Sequence, residues 1–402
     1  MSQQPATASP ASTPTPPSAL IFYQFLGAHS LLIGLFPFYL PVWMWKMGFD
    51  LSDICAFVAI SGISFVFSLR VWERLASRVP AATLFGLSFV FELALVVMAT
   101  CEQLVPANTL LIALAVINGI YNCFFWTTQR SLFLQRVTPA DSGRQYGNLQ
   151  IVVSVFLKIG ILIGGLLLEN IGMLAILGVS ALLSLALAVW FYRTERTPLL
   201  PAHTETTFKQ LRQFRDNYGS RRVFLLDGLF LFFESHFWTL SLFMISEENF
   251  SRFGLTVIAL ALGFAVLFFI LKNSIDRFAG GRAFTWAVSA YAFGWLIRPI
   301  LGADMSLTLA AVFLIVATFC TSFFRLVFNK RFFDIAAASS GQRYLVVKSY
   351  YTQFSVACIF GLLAILTTLP TSHQTSLAAF YVLAAICSFV YLAYKNPQRD
   401  AP

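Results

Sequence analysis

Between residues 19 and 394 the sequence alternates long apolar stretches with short polar breaks. Twelve of the stretches reach the roughly 20 residues that a helix needs to cross a bilayer. They fall at 19–43, 51–69, 80–100, 107–129, 147–168, 172–192, 223–245, 253–272, 282–301, 305–328, 344–366 and 374–394. Each predicts a transmembrane helix, so the expected fold is an all-α membrane protein. The longest polar connection, residues 193–222, reads "RTERTPLLPAHTETTFKQLRQFRDNYGSRR" and divides the spans six and six. It predicts a cytoplasmic linker between a first unit at 19–192 and a second at 223–394. The opening "MSQQPATASPASTPTPPS" is rich in Pro, Ser and Thr and lacks the basic start of a signal peptide, so residues 1–18 predict a disordered cytoplasmic tail. Residues 395–402 form a second short tail.

Composition agrees with this pattern. The chain is 58% hydrophobic and only 11% charged, with a mean hydropathy of +0.75, which excludes an ordinary soluble domain. Its formal charge of +9 would suit a nucleic-acid partner if it formed one patch, but the basic residues are distributed by topology. With the N-terminus inside, the outer loops hold only Lys46 and Arg252, and the other loop cations fall inside. Both termini are therefore expected in the cytoplasm, the partner is the lipid bilayer, and no nucleic acid is expected. Short loops point to a bacterial inner (plasma) membrane, and a monomer is expected. The six cysteines are scattered without paired spacing and read as small packing residues.

The two units share their punctuation. "WERLASR" at 72–78 follows the second span and "IDRFAGGR" at 275–282 follows the eighth. "FFWTTQRSLFLQRVTPADSGRQY" at 124–146 follows the fourth and "FFRLVFNKRFFDIAAASSGQRY" at 323–344 the tenth. Phe124 and Phe323 are 199 positions apart, Gly143 and Gly341 198, which argues for duplication of a six-helix unit. These motifs resemble the inner-loop signature of the major facilitator superfamily. Asp276, Arg277, Gly280 and Arg282 stand close to its positions, Glu73, Arg74 and Arg78 form a degenerate copy, and the signature's leading Gly is absent from both. The resemblance implies two pseudo-symmetric six-helix bundles around a central cavity, alternating access, and an inner-loop charge relay that stabilises one state. Glu73, Arg74, Arg78, Asp276, Arg277 and Arg282 are thus candidate gating residues; the other reading is that they fix topology and turn the chain. "KIGILIGG" at 158–165 puts Gly160 and Gly164 at a spacing that permits close helix contact. The Pro of the family's antiporter signature is missing there, so the direction of transport stays open.

Charges inside a bilayer are costly and usually face a cavity or a partner. Glu234 lies eleven residues past Val223, roughly 16 Å into a core of about 30 Å, and His29, Lys158 and Glu92 come out at similar depth. Helical spacing puts Asp227, Glu234, Trp238 and Ser241 on one stripe, with His236 about 200° from Glu234 on the other side. Glu234 is the first candidate for a proton-coupling carboxylate, with Asp227 and His29 beside it. Two other readings stand: a fixed ion pair of Glu234 with Lys158 or Arg325, and a hydrogen-bonded core histidine at position 29. Lys158 either binds an anionic group or neutralises an acid. Glu92 is expected as a peripheral structural partner, and Arg298 as an anchor near the outer surface beside Asp304.

The fourth span places Asn118, Tyr121, Asn122, Trp126 and Gln129 on one face, and the tenth does the same with Thr318, Thr321, Ser322, Arg325 and Asn329. The family resemblance implies that the first, fourth, seventh and tenth spans line the cavity. Asn118, Tyr121, Asn122, Trp126, Lys158, Trp238 and Arg325 are the candidate substrate-binding residues, although Arg325 near the inner end can instead snorkel. Lys348 is a weaker candidate, on a stripe with Tyr351, Thr352 and Ser355. No ATP-binding loop, nucleophile elbow or metal-ligand cluster occurs, so no cofactor and no enzyme activity are expected. The sequence therefore points to a secondary transporter, proton-coupled, for a small polar or amphiphilic solute. The alternative is a multispan protein that does not transport, a membrane-embedded enzyme or a sensor on the same scaffold.

Overall fold

The computed structural model describes residues 19–136, 142–194, 199–200, 205–271, 281–301, 305 and 307–395. Helices run Ala19–Leu35 (α1), Leu40–Lys46 (α2), Leu51–Ala76 (α3), Ala81–Thr100 (α4), Ala107–Arg136 (α5), Ser142–Asn170 (α6), Met173–Thr194 (α7) and Phe208–Gln213 (α8). They continue as Ser220–Phe232 (α9), Trp238–Ile245 (α10), Phe250–Leu271 (α11), Gly281–Ile297 (α12), Leu307–Ala338 (α13), Gln342–Leu366 (α14) and His373–Ser388 (α15). A π-helical turn, Phe233–Phe237, joins α9 to α10. The described parts of the twelve predicted apolar runs are mostly helical. Among the described residues nine helices are long and apolar enough to cross a membrane, ten if α1 and α2, bent by 41°, form one span. The break falls at Pro37, which has no N–H to continue the α-helical ladder.

Helix ends follow local chemistry. Asp50 and Asp53 form a capping box at the start of α3, and Ser372 caps α15 through the Thr375 amide. α5 and α13 run several residues past their predicted ends, through Arg130 and Lys330. Hydropathy marks where the bilayer ends, whereas backbone hydrogen bonding carries a helix beyond it.

The packing pairs repeat across the duplication. α1 packs on α6 and α7, α3 on α5, and α4 on α5 and α7; correspondingly α9 packs on α14 and α15, α11 on α13, and α12 on α13 and α15. The two sets meet where α3 lies on α14 and α6 on α11, with further contacts of α5 with α14 and α6 with α13. The closest approach of α1 and α6 is glycine on glycine: a Cβ on Gly34 would stand 2.8 Å from the Gly160 carbonyl carbon and 2.6 Å from the Ile161 nitrogen. The small-residue spacing read from "KIGILIGG" thus sits at a helix crossing.

Candidate functional site

The π turn places an extra residue in one helical turn beside Glu234, a device that recurs where a helix must re-aim side chains. Asp227 on α9 and Glu234 in the turn both reach α13. Arg325 Nη1 lies 3.0 Å from Asp227 Oδ1, and Arg325 Nε 3.3 Å from Glu234 Oε2. On the far side of Asp227, Lys348 Nζ of α14 stands 2.7 Å from Oδ2. Two tyrosines complete the shell: Tyr391 Oη donates to Asp227 Oδ1 over 2.6 Å, and Tyr291 Oη of α12 donates to Glu234 Oε1. All four carboxylate oxygens are therefore engaged. Asp227 and Lys348 are almost fully buried, a depth at which unpaired charges are expensive. Lys348 also lies 4.7 Å from the centre of the Phe332 ring, and Tyr291 stacks on Phe324 at 4.2 Å.

Of the two partners expected for Glu234, the geometry takes Arg325, which is turned inward to the carboxylates. Lys158 instead sits 6.0 Å over the Phe38 ring. Lys348, ranked low in the sequence, has the shortest ion-pair distance of the network. Tyr291 and Tyr391 were not anticipated: a tyrosine in an aromatic-rich span carries no periodic signal that separates it from a packing ring. His236 faces away from Glu234, as the helical spacing requires, with its ring 6.0 Å from Phe57 of α3. Trp238 and Ser241, placed by sequence on the Glu234 stripe, lie against Tyr381 of α15, beyond the π turn.

A second polar cluster lies between α1, α4 and α5. His29 Nε2 is 3.8 Å from Glu92 Oε2 and 3.4 Å from Tyr121 Oη, and the imidazole stacks on Phe125 at 3.5 Å. His29 Nδ1 and both Glu92 oxygens have no hydrogen-bond partner. Glu92, expected at the periphery, is 1% exposed and forms the heart of this cluster. The α5 polar face divides accordingly. Tyr121 turns toward His29, while Asn118, Asn122 and Trp126 form a chain: Asn122 Nδ2 donates to Asn118 Oδ1 over 2.9 Å, and Trp126 Nε1 to Asn122 Oδ1 over 2.9 Å. Asn118 Nδ2 donates onward to Ser61 of α3 over 3.3 Å.

At the end of the bundle that carries the linker, Glu73 of α3 is buried. It accepts from the Thr206 amide at 3.0 Å, the Thr206 hydroxyl at 2.7 Å and Tyr350 Oη at 2.7 Å. Arg74 Nε lies 3.0 Å from Glu205, and Arg78 and Arg282 are exposed. Asp276, Arg277 and Asp304 lie outside the described residues. Arg298 follows the end of α12, at the opposite end of the helix from Gly281. It is 3% exposed, packed 3.6 Å from the centre of the Trp295 ring and 4.8 Å from that of Trp238. Among the described residues no three His, Cys, Asp or Glu side chains gather as metal ligands.

The family model of the Major Facilitator Superfamily matches residues 27–340. Comparison with curated protein sequences gives no match. Among solved structures the chain is similar to the nucleoside transporter NupG, with a TM-score of 0.63 at 14% identity, over 93% of this chain and 98% of that one. It is also similar to a bacterial homologue of the iron transporter ferroportin in an outward-facing state, with a TM-score of 0.65 at 13% identity, over 93% and 98% of the two chains. At such identities the likeness is one of fold.

Proposed function

The chain belongs to the Major Facilitator Superfamily and is a multi-pass membrane transporter, and we propose that it is a proton-coupled secondary carrier. In this reading twelve spans form two six-helix bundles, residues 19–192 and 223–394, and a small polar or amphiphilic solute crosses by alternating access between them. The repeated packing pairs support the two-bundle arrangement, and the distribution of loop cations supports cytoplasmic termini in a bacterial inner membrane.

The observation that carries the reading is the sharing of Arg325 by Asp227 and Glu234. Two carboxylates and two cations, Arg325 and Lys348, balance in this network. A proton arriving on Glu234 cancels one of those charges and frees one arm of Arg325. The arginine then keeps Asp227 as its one charged partner, with Tyr291 Oη 3.5 Å from its Nη2, and the helices it ties are freer to shift. His29 with Glu92 provides a second proton holder in the first bundle. Asn118, Tyr121, Asn122, Trp126 and Lys158 from the first bundle, with Trp238 and Arg325 from the second, supply the solute's contacts. Glu73, Arg74, Arg78, Asp276, Arg277 and Arg282 form the inner gate.

The test has two arms. In a cysteine-free background, Asn122→Cys is labelled by membrane-impermeant maleimide from each side; alternating access gives reaction from both, and reaction from one side only argues for a fixed, one-sided site. In proteoliposomes, currents driven by a panel of small polar solutes under an imposed pH gradient are compared for wild type and Glu234→Gln. Full gradient-driven accumulation by Glu234→Gln removes Glu234 from the coupling path.

A further inference from the structure

The ion pairs of Asp227, Glu234, Arg325 and Lys348 are balanced, but a further cation next to them makes no salt bridge among the described residues. Arg298, at the end of α12, interacts electrostatically with Glu234, Tyr291 and Arg325. Its Nη2 donates to Thr321 Oγ1 over 3.0 Å, and its Nε and Nη1 have no acceptor. Trp295, fully buried against it, also has an indole N–H without an acceptor. The cluster therefore holds three orphan donors, beside a region where Arg130, Arg298, Arg325 and Lys348 face the two carboxylates Asp227 and Glu234. A buried group in that state lacks both its hydrogen bonds and its charge partner, each absence being costly in a low-dielectric interior.

The shape of the excess specifies what would relieve it. Trp295 and Trp238 lie at cation-π distance from the guanidinium, and its Nε and Nη1 are open to oxygen ligands. A planar guanidinium edge suits a carboxylate or phosphate. The unpartnered Nε and Nη1 of Arg298 match the two oxygens of a carboxylate, and the indole walls suit an apolar or aromatic body attached to it. Resting on the reading of this chain as a carrier of small solutes, we propose that Arg298, with Trp295, Trp238 and Thr321, binds the carboxylate of a small organic anion as substrate. Glu234 then lies close enough to sense that charge, which links substrate binding to the Arg325 network.

The test is binding to the purified full-length protein, followed by thermal unfolding and tryptophan fluorescence. The probes are benzoate, acetate, inorganic phosphate and the neutral isostere benzamide. Benzoate is expected to raise Tm saturably and to quench fluorescence, with benzamide ineffective. Arg298→Gln should weaken the benzoate response by at least about tenfold, the loss of a buried charge partner, and should unfold no earlier than wild type without ligand. Arg298→Lys keeps the charge without the planar edge and provides the comparison if Arg298→Gln does not fold; it should respond weakly. The proposal is overturned if no anion stabilises wild type more than benzamide does, or if the Arg298 variant that folds responds like wild type. It also falls if stabilisation follows phosphatidylglycerol against phosphatidylcholine in nanodiscs and ignores the soluble anions, since a lipid headgroup then fills the site. None of these readouts involves transport, so their failure leaves the Asn122→Cys accessibility test of the carrier reading untouched.

Discussion

Tyr350 Oη donates to Glu73 over 2.7 Å, joining α14 to α3 across 277 residues of chain. The same carboxylate holds the linker through both the amide and the hydroxyl of Thr206. Glu73 is thus a three-way tie between α3, the segment that carries Thr206, and α14.

Cutting that tie loosens the linker before it affects the helices. Tyr350→Phe removes one neutral-to-charged hydrogen bond, about 1.5–3 kcal/mol, and leaves Thr206 bound. Glu73→Ala removes all three bonds and releases the segment. Hydrogen–deuterium exchange over residues 205–213 should therefore rise modestly in Tyr350→Phe and strongly in Glu73→Ala. Unchanged protection in Glu73→Ala would show that other contacts hold the linker.

The charged network calls for a double-mutant cycle. Asp227→Ala leaves Lys348 buried without its closest partner, and removing one member of a buried pair costs about 3–5 kcal/mol. Lys348→Ala strands part of Asp227 in the same way. The double variant deletes both charges, so its loss of stability should be well below the sum of the two singles. Strict additivity in denaturant or thermal unfolding would mean that Asp227 depends on Arg325 and Tyr391 and that Lys348 contributes little.

Much of the helical layout was legible from sequence because hydropathy reports the bilayer directly: the described parts of the twelve apolar runs are mostly helical, and packing pairs repeat between the two halves of the sequence. The site was legible in part. Glu234, Asp227 and Arg325 stand out as charges in apolar runs, and so does Lys348, but their pairing depends on how three spans are rotated against each other. Periodicity assigns residues to faces without saying which faces meet. The π turn at Phe233–Phe237 interrupts the 3.6-residue count on which the stripe through Trp238 and Ser241 was drawn. Glu92 was placed by the expected position of its helix, and only the α1–α4–α5 packing brings it to His29.

Gly160 tests the helix crossing. A Cβ there would press on the Leu31 carbonyl and the Gly34 Cα of α1, the latter at 3.0 Å; both are backbone atoms that move only with the helix. Gly160→Val should therefore separate α1 from α6, lowering the folded yield and Tm clearly. Gly86 of α4 is the control, with open space around its Cα, and Gly86→Ala should be neutral or slightly stabilising, given the better helix propensity of Ala. Equal Tm values for Gly160→Val and wild type would contradict the close approach.

The His29–Glu92 cluster separates from the Asp227 network by how each tolerates an amide. Asp227 accepts from a lysine, an arginine and a tyrosine, so Asp227→Asn puts an N–H where an acceptor is needed and strands positive charge. Glu92 has no hydrogen-bond donor on either oxygen and faces an imidazole and a phenol in an apolar shell of Phe89 and Phe125. Glu92→Gln keeps the side chain's shape while removing a carboxylate that no fixed cation neutralises. It should match or exceed wild type in thermal stability, whereas Asp227→Asn should fall below it. A drop in Glu92→Gln as large as that in Asp227→Asn would identify His29 and Glu92 as a permanent ion pair that holds α1 to α4, and would remove them as a site where a proton is taken up and released.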